Sequence, residues 1–236
     1  MNIKDVTLGR MAVAVLLFDS LTPYNASLAT FRSATGDSLD LATQEHRRVL
    51  LKWLNDWGCR HLSKEQHQIA SRSISEWYRW DCGILFSYKS PLWQLEDQEI
   101  ETAANAYGCL KDRIGARRSR YSNESKIHIG PTAASKVLFA IRPKALMPWD
   151  EAMRVAFKCD GSPESYFEYL IEIRDLTLHI GNLCRNKGFQ IDDLPQKLGR
   201  RNSTVLALVN EYIWVTETRK VELPSSETLT QWASLG

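Results

Sequence analysis

Asp150 ends the tripeptide Pro148-Trp149-Asp150 and stands directly before Glu151-Ala152-Met153, where the pattern passes from turn to helix. A carboxylate there caps the helix by accepting from a free amide of the first turn. It also points outward from the helix end, where its charge can stabilise a cation that forms beside it in a partly dehydrated site. Upstream, Ile127-His128-Ile129-Gly130-Pro131-Thr132-Ala133-Ala134 reads as a tight hairpin that opens a helix. Gly130 permits close approach of the backbone, and Pro131 suits a first helical turn, where its missing N–H costs nothing. Such a hairpin offers backbone N–H groups and the positive end of the helix dipole to an anion. Just before it, Lys111 to Lys126 reads as a basic loop carrying Arg113, Arg117, Arg118, Arg120 and Lys126 among Gly, Ser and Asn.

Other chemistries have no residue pattern behind them. The five histidines form no H-E-x-x-H or similar spacing, so no transition-metal site is expected. Cys59, Cys82, Cys109, Cys159 and Cys184 are scattered and include no C-x-x-C pair. They are expected to be buried thiols in a reducing cytoplasm, with no disulfide framework, zinc ribbon or iron–sulfur cluster. Met11 to Phe18 is apolar but too short to cross a bilayer, so no membrane association is expected.

Helices must position these residues. Val6 to Asp19 reads as the first, broken at Thr22-Pro23-Tyr24-Asn25 into an irregular stretch reaching about Asp40. Val49, Leu50, Trp53, Leu54 and Trp57 recur at helical spacing and stop at Gly58. Further helices are expected over Lys64–Trp80, Leu95–Leu110, Thr132–Ile141, Glu151–Phe157, Glu164–Asn186 and Ser203–Val215. No segment shows sustained period-two alternation, so the expected fold is all-α. The basic loop divides it into an N-terminal lobe, 1–110, and a C-terminal lobe, 111–236, with the terminal helices free to pack across. At 236 residues, 44% hydrophobic and 25% charged, the chain can bury a core of its own. A net charge of +2 says little about partners; the uneven distribution says more.

The segment Ile127–Ala134, followed by Pro148-Trp149-Asp150 and Met153-Arg154-Val155-Ala156, resembles the DNA-binding hairpin and catalytic-aspartate helix of helix-hairpin-helix DNA glycosylases. The resemblance covers about thirty residues. It implies a two-lobed helical fold with a helix-hairpin-helix motif, and double-stranded DNA bound by a monomeric chain. DNA backbone would be held by His128, Ile129, Gly130, Thr132, Lys126, Arg117, Arg118 and Arg120, without reading sequence. It implies that Asp150 stabilises the oxocarbenium-like sugar left as the glycosidic bond breaks, and assists the attacking water. The family usually has glycine where His128 stands. Its bifunctional members place a Schiff-base lysine where this chain has Thr132, so a monofunctional enzyme is implied. Lys136, one turn later on the same face, is the alternative amine. No cofactor is expected, apart from the monovalent cation that such hairpins often hold on backbone carbonyls.

An extruded base needs stacking surfaces, and Tyr24, Asn25, Trp77, Trp80 and Trp149 are the pocket candidates. The competing reading of the tryptophans is core packing. Function therefore divides three ways: a monofunctional glycosylase acting in repair or in defence against modified foreign DNA; a non-enzymatic DNA-binding module in which Asp150 only caps; and a helical protein-interaction module. The base excised has no signature in the sequence.

Overall fold

A computed structural model of the chain describes residues 3–36, 39–83, 85–120 and 123–234, with the side chains of Lys4, Gln66, Ser119, Arg120, Asn123 and Glu124 outside that description. Thr7 accepts from the Arg10 amide and starts α1 (Leu8–Leu21), which buries Met11, Ala14, Val15 and Phe18 at helical spacing. The stretch read as irregular after it contains α2 (Tyr24–Thr35). Pro23 ends one helix and stands at the N-cap of the next, where its missing N–H has no intrahelical partner to lose. Leu28, Phe31 and Thr35 then supply a buried stripe. α3 (Gln44–Asp56) buries Leu50, Leu51, Trp53 and Leu54, and α4 (His67–Asp81) buries Ala70, Ile74 and Trp77. α5 (Asp97–Lys111) opens with a capping box between Glu96 and Glu99.

The basic loop is a β-ribbon instead. β1 (Ile114–Arg120) pairs antiparallel with β2 (Asn123–His128), and the register slips between Ile114 and Ala116. Its sequence hides the strand period because both faces meet solvent: Arg117, Arg118, Ser125 and Lys126 are all exposed, and Ala116 is the one buried side chain among those described. Gly115 sits at the slip for lack of room. A Cβ there would meet Leu62 Cδ2 at 2.6 Å and Ile129 Cα at 3.2 Å.

β2 runs into α6 (Gly130–Ile141), so a strand, not a helix, precedes the Gly130 turn, and the expected helix-hairpin-helix is a helix, a ribbon and a helix. α7 (Glu151–Ala156), α8 (Pro163–Asn186), α9 (Leu194–Lys197) and α10 (Val205–Ile213) follow. α10 continues into a π-helical turn, Trp214–Thr218, and the chain closes with α11 (Ser226–Ala233). The described structure is thus predominantly helical with a single two-stranded sheet. One buried cluster draws on residues from Val6 to Leu223. α1 packs on α10, and α5 on α6 and α8, across the division at residue 110.

Among the described residues no helix is long and apolar enough to cross a membrane. All five cysteines are free, but only Cys59, Cys82 and Cys184 are buried; Cys109 is exposed and Cys159 half-buried. Cys109 lies on the solvent face of α5, where helical spacing alternates with buried Leu110.

Candidate active site

Asp150 is presented by a turn that buried aromatics hold from below. Tyr166 Oη donates to the Met147 carbonyl at 3.0 Å, and Tyr169 Oη to the Pro148 carbonyl at 3.2 Å. Burial pushes both phenols well above their ordinary value, so they remain neutral donors. From α6, Ser135 Oγ accepts from the Trp149 amide at 3.2 Å, and Trp149 Nε1 donates to the Pro131 carbonyl at 3.2 Å. Tyr107, Trp149, Tyr166 and Tyr169 form one ring cluster, with Tyr107 and Tyr166 stacked at 4.3 Å. The turn, the hairpin and α8 are therefore locked to one another.

The Asp150 carboxylate is half-buried and N-caps α7, with Oδ1 accepting from the Met153 amide at 2.8 Å. Thr218 Oγ1, at the end of the π-helical turn, donates from the other side, 3.2 Å from Oδ1 and 3.0 Å from Oδ2. Asp150 lines a recess of about 230 Å³. Its walls come from α1, α2, the C-cap of α3 and the π-helical turn: Phe18, Tyr24, Trp57 and Trp214. Tyr24 lies 5.5 Å from Trp57 and 5.9 Å from Trp214 between ring centroids, and Phe18 meets Trp214 edge-on at 5.1 Å. Such rings give a planar ligand a stacking surface.

Lys136 lies in the same wall, 8% exposed. Its Nζ donates to the Trp57 carbonyl at 2.5 Å and sits 5.7 Å over the Trp57 ring. Trp57 is the C-cap of α3, so the ammonium also meets the negative end of that helix. Thr132, in the first turn of α6, lines the recess as well and links it to the hairpin.

Gly130 adopts φ +78°, and no side chain caps α6. Its first turn is thus open to an anion. Ile129 is buried, and its carbonyl lies 2.9 Å from His61 Nε2. His128, Lys126, Arg117 and Arg118 are exposed on the ribbon, with Arg117 directly opposite Lys126. Arg120 belongs to β1, but its side chain lies outside the described part of the structure. A Cβ on Gly161 would meet Pro131 Cγ at 3.1 Å and Arg154 Nη1 at 3.3 Å. Arg154 is therefore a further cation beside the start of α6, unnoticed in the sequence because its role depends on the fold of residues 157–162.

The pocket candidates separate. Tyr24 is in the recess wall; Trp149 touches it from the buried ring cluster, 1% exposed. Asn25 turns away, donating to Asp19 Oδ1 at 2.8 Å. Trp77 is a core residue, 0% exposed, with Nε1 on the Ala106 carbonyl; Trp80 is 73% exposed on α4, away from the recess. Trp77 and Trp80 lie one turn apart on α4, and neither lines the recess that holds Asp150. Phe18, Trp57, Asn210, Trp214 and Thr218 were missed. Asn210, Trp214 and Thr218 recur every four residues, a legible stripe, but nothing in the sequence aims it at Asp150.

No protein-family model, curated protein or solved structure matches the chain. Among the described residues no group of three or more His, Cys, Asp or Glu side chains is placed to hold a metal ion.

Proposed function

We propose that the chain is a monofunctional DNA glycosylase that extrudes a damaged or modified base and hydrolyses its N-glycosidic bond, in base-excision repair or defence against modified foreign DNA. One observation carries this reading: a half-buried carboxylate and a set of aromatic rings share a recess whose rim, Thr132, belongs to an uncapped helix N-terminus. Phosphates of the duplex would lie on the first turn of α6, with Arg117, Arg118, Lys126 and His128 adding charge. The flipped base would stack among Tyr24, Trp57 and Trp214.

As the glycosidic bond breaks, its electron pair leaves with the base, and positive charge grows on the sugar. Asp150 stabilises that charge and orients the water that attacks the anomeric carbon. The products are a free base and an intact strand with an abasic site. Thr132 has no amine, and Lys136 is engaged by the Trp57 carbonyl, which favours water over a lysine nucleophile.

A DNA-binding module in which Asp150 only caps α7 is the second reading, and the hydrogen bond from the Met153 amide favours it. Asp150→Asn separates the two, because it keeps a cap and removes the charge. Abasic-site formation on duplexes carrying different modified bases should fall by roughly two to three orders of magnitude, equivalent to about 3–4 kcal/mol, with folding and DNA affinity retained. Full base release by the folded variant would reject the catalytic role. Borohydride trapping of a covalent complex would transfer the chemistry to Lys136.

A further inference from the structure

Asn210 lies on α10, one helical turn before Trp214, 6% exposed and lining the recess that holds Asp150. Of the other buried polar side chains, Thr35, Ser135, Lys136, Ser165 and Thr177 each form a hydrogen bond, while Glu211 leaves Oε2 without one beside Arg200. Among the described residues nothing bonds the Asn210 carboxamide, yet its polar atoms are not closed off as the orphaned atoms of Arg32 or Trp53 are. A desolvated amide with free valences facing a cavity is poised for a ligand, since leaving it unmatched is unfavourable.

We propose that Asn210 reads the hydrogen-bonding edge of a planar heterocyclic base held in this recess, Nδ2 donating to a ring nitrogen or carbonyl and Oδ1 accepting from the neighbouring N–H. The ring walls alone are indifferent to base identity, because every base has a π face. Lys136 is committed to a carbonyl and Asp150 is acceptor-only, so Asn210 is the group in the wall that offers donor and acceptor side by side. The chemical class it selects is a neutral base with adjacent donor and acceptor. A base alkylated on that edge would leave the amide unmatched and be rejected. Asn210 is thus a specificity residue of the base pocket proposed above, and its role does not depend on whether bond cleavage follows.

Isothermal titration with nucleosides tests this apart from catalysis. Thymidine is compared with N3-methylthymidine, and deoxyadenosine with N6,N6-dimethyldeoxyadenosine, on the wild-type chain and on Asn210→Leu, which nearly preserves volume. At least one parent nucleoside should bind roughly tenfold more tightly than its blocked analogue, and Asn210→Leu should bring that pair to within about twofold while the analogue's own affinity persists. Asn210→Ala serves if the leucine variant melts early. Discrimination unchanged in the variant, or no binding of either parent up to its solubility limit, overturns the assignment. Base release from DNA is measured in parallel. Its absence alongside Asn210-dependent discrimination rejects the glycosylase reading only, and its presence alongside unaltered discrimination rejects the Asn210 role only.

Discussion

Glu211→Gln should stabilise the protein in a pH-dependent way. Glu211 follows Asn210 on α10 and is 2% exposed. Arg200 is its nearest cation, Nη2 lying 3.5 Å from Oε2 without hydrogen-bond geometry, because the same guanidinium serves Asp19 Oδ2 at 2.6 Å and the Val15 carbonyl at 3.0 Å. Burial pushes the Glu211 carboxyl from 4.5 up to about 7, only partly opposed by Arg200. Between those values the folded chain holds a proton that the unfolded chain has released, so stability falls as pH rises, and the deficit is complete above about pH 7. The interval corresponds to about 3 kcal/mol. Asp19 does not confuse the window: although partial desolvation raises it, hydrogen bonds from Arg200 and Asn25 hold its exposed carboxyl below the ordinary value. Glutamine mimics the protonated acid. Urea unfolding followed by tryptophan fluorescence should show the two proteins alike near pH 4.5 and the variant ahead by up to about 3 kcal/mol at pH 8, or about 6–12 °C in Tm. A difference flat with pH, or a variant weaker above pH 7, would show that the Arg200 attraction outweighs desolvation and would refute the reasoning.

Replacing Arg117 and Arg118 together with Ala should weaken duplex binding to a similar extent on unrelated sequences and flatten the salt dependence by up to about 1.8 in log–log slope, measured by fluorescence anisotropy. Loss on one sequence alone would argue for base readout instead. Tyr169→Phe removes the donor to the Pro148 carbonyl and leaves that buried acceptor unpaired, at about 1–3 kcal/mol of stability. Base release should slow while DNA affinity stays, as kinetics and anisotropy on the same preparation would report.

The helices with one buried stripe were legible because tertiary packing and sequence period agree: α3 and α8 show their buried faces directly in the spacing of Leu50, Trp53 and Leu54, or of Tyr166, Tyr169, Leu170 and Ile173. α2 was not, since Pro23 looks the same whether it ends a helix or begins one. The ribbon was hidden because a strand pair wet on both faces has no alternation to display. In the site, the legible parts were local in sequence, namely the Gly130-Pro131 turn, Thr132 with Lys136 a turn later, and the cap Asp150. The walls of the recess arrive from α1, α2, α3 and α10, and only the folded core decides that Phe18, Trp57 and Trp214 meet. Trp77 illustrates the converse, a residue type that suits a base pocket placed in the core by its helical phase.

A carboxylate that must stabilise a short-lived cation has to be held rigidly without being neutralised. A backbone amide and a threonine hydroxyl orient Asp150, and among the described residues no Lys, Arg or His forms an ion pair with it. Lys136, the cation in the same wall, is drawn to the C-terminal carbonyl of α3. The hydroxyl comes from a π-helical turn, closed by the Arg219 amide on the Trp214 carbonyl at 3.0 Å, a conformation uncommon in helices and frequent at functional sites. That turn brings Trp214 to the recess wall and Thr218 to Asp150 as its second anchor. A residue needed only to cap α7 would be satisfied by the Met153 amide. The second anchor fixes the Asp150 side chain at the edge of the aromatic recess, the placement that the proposed reaction requires.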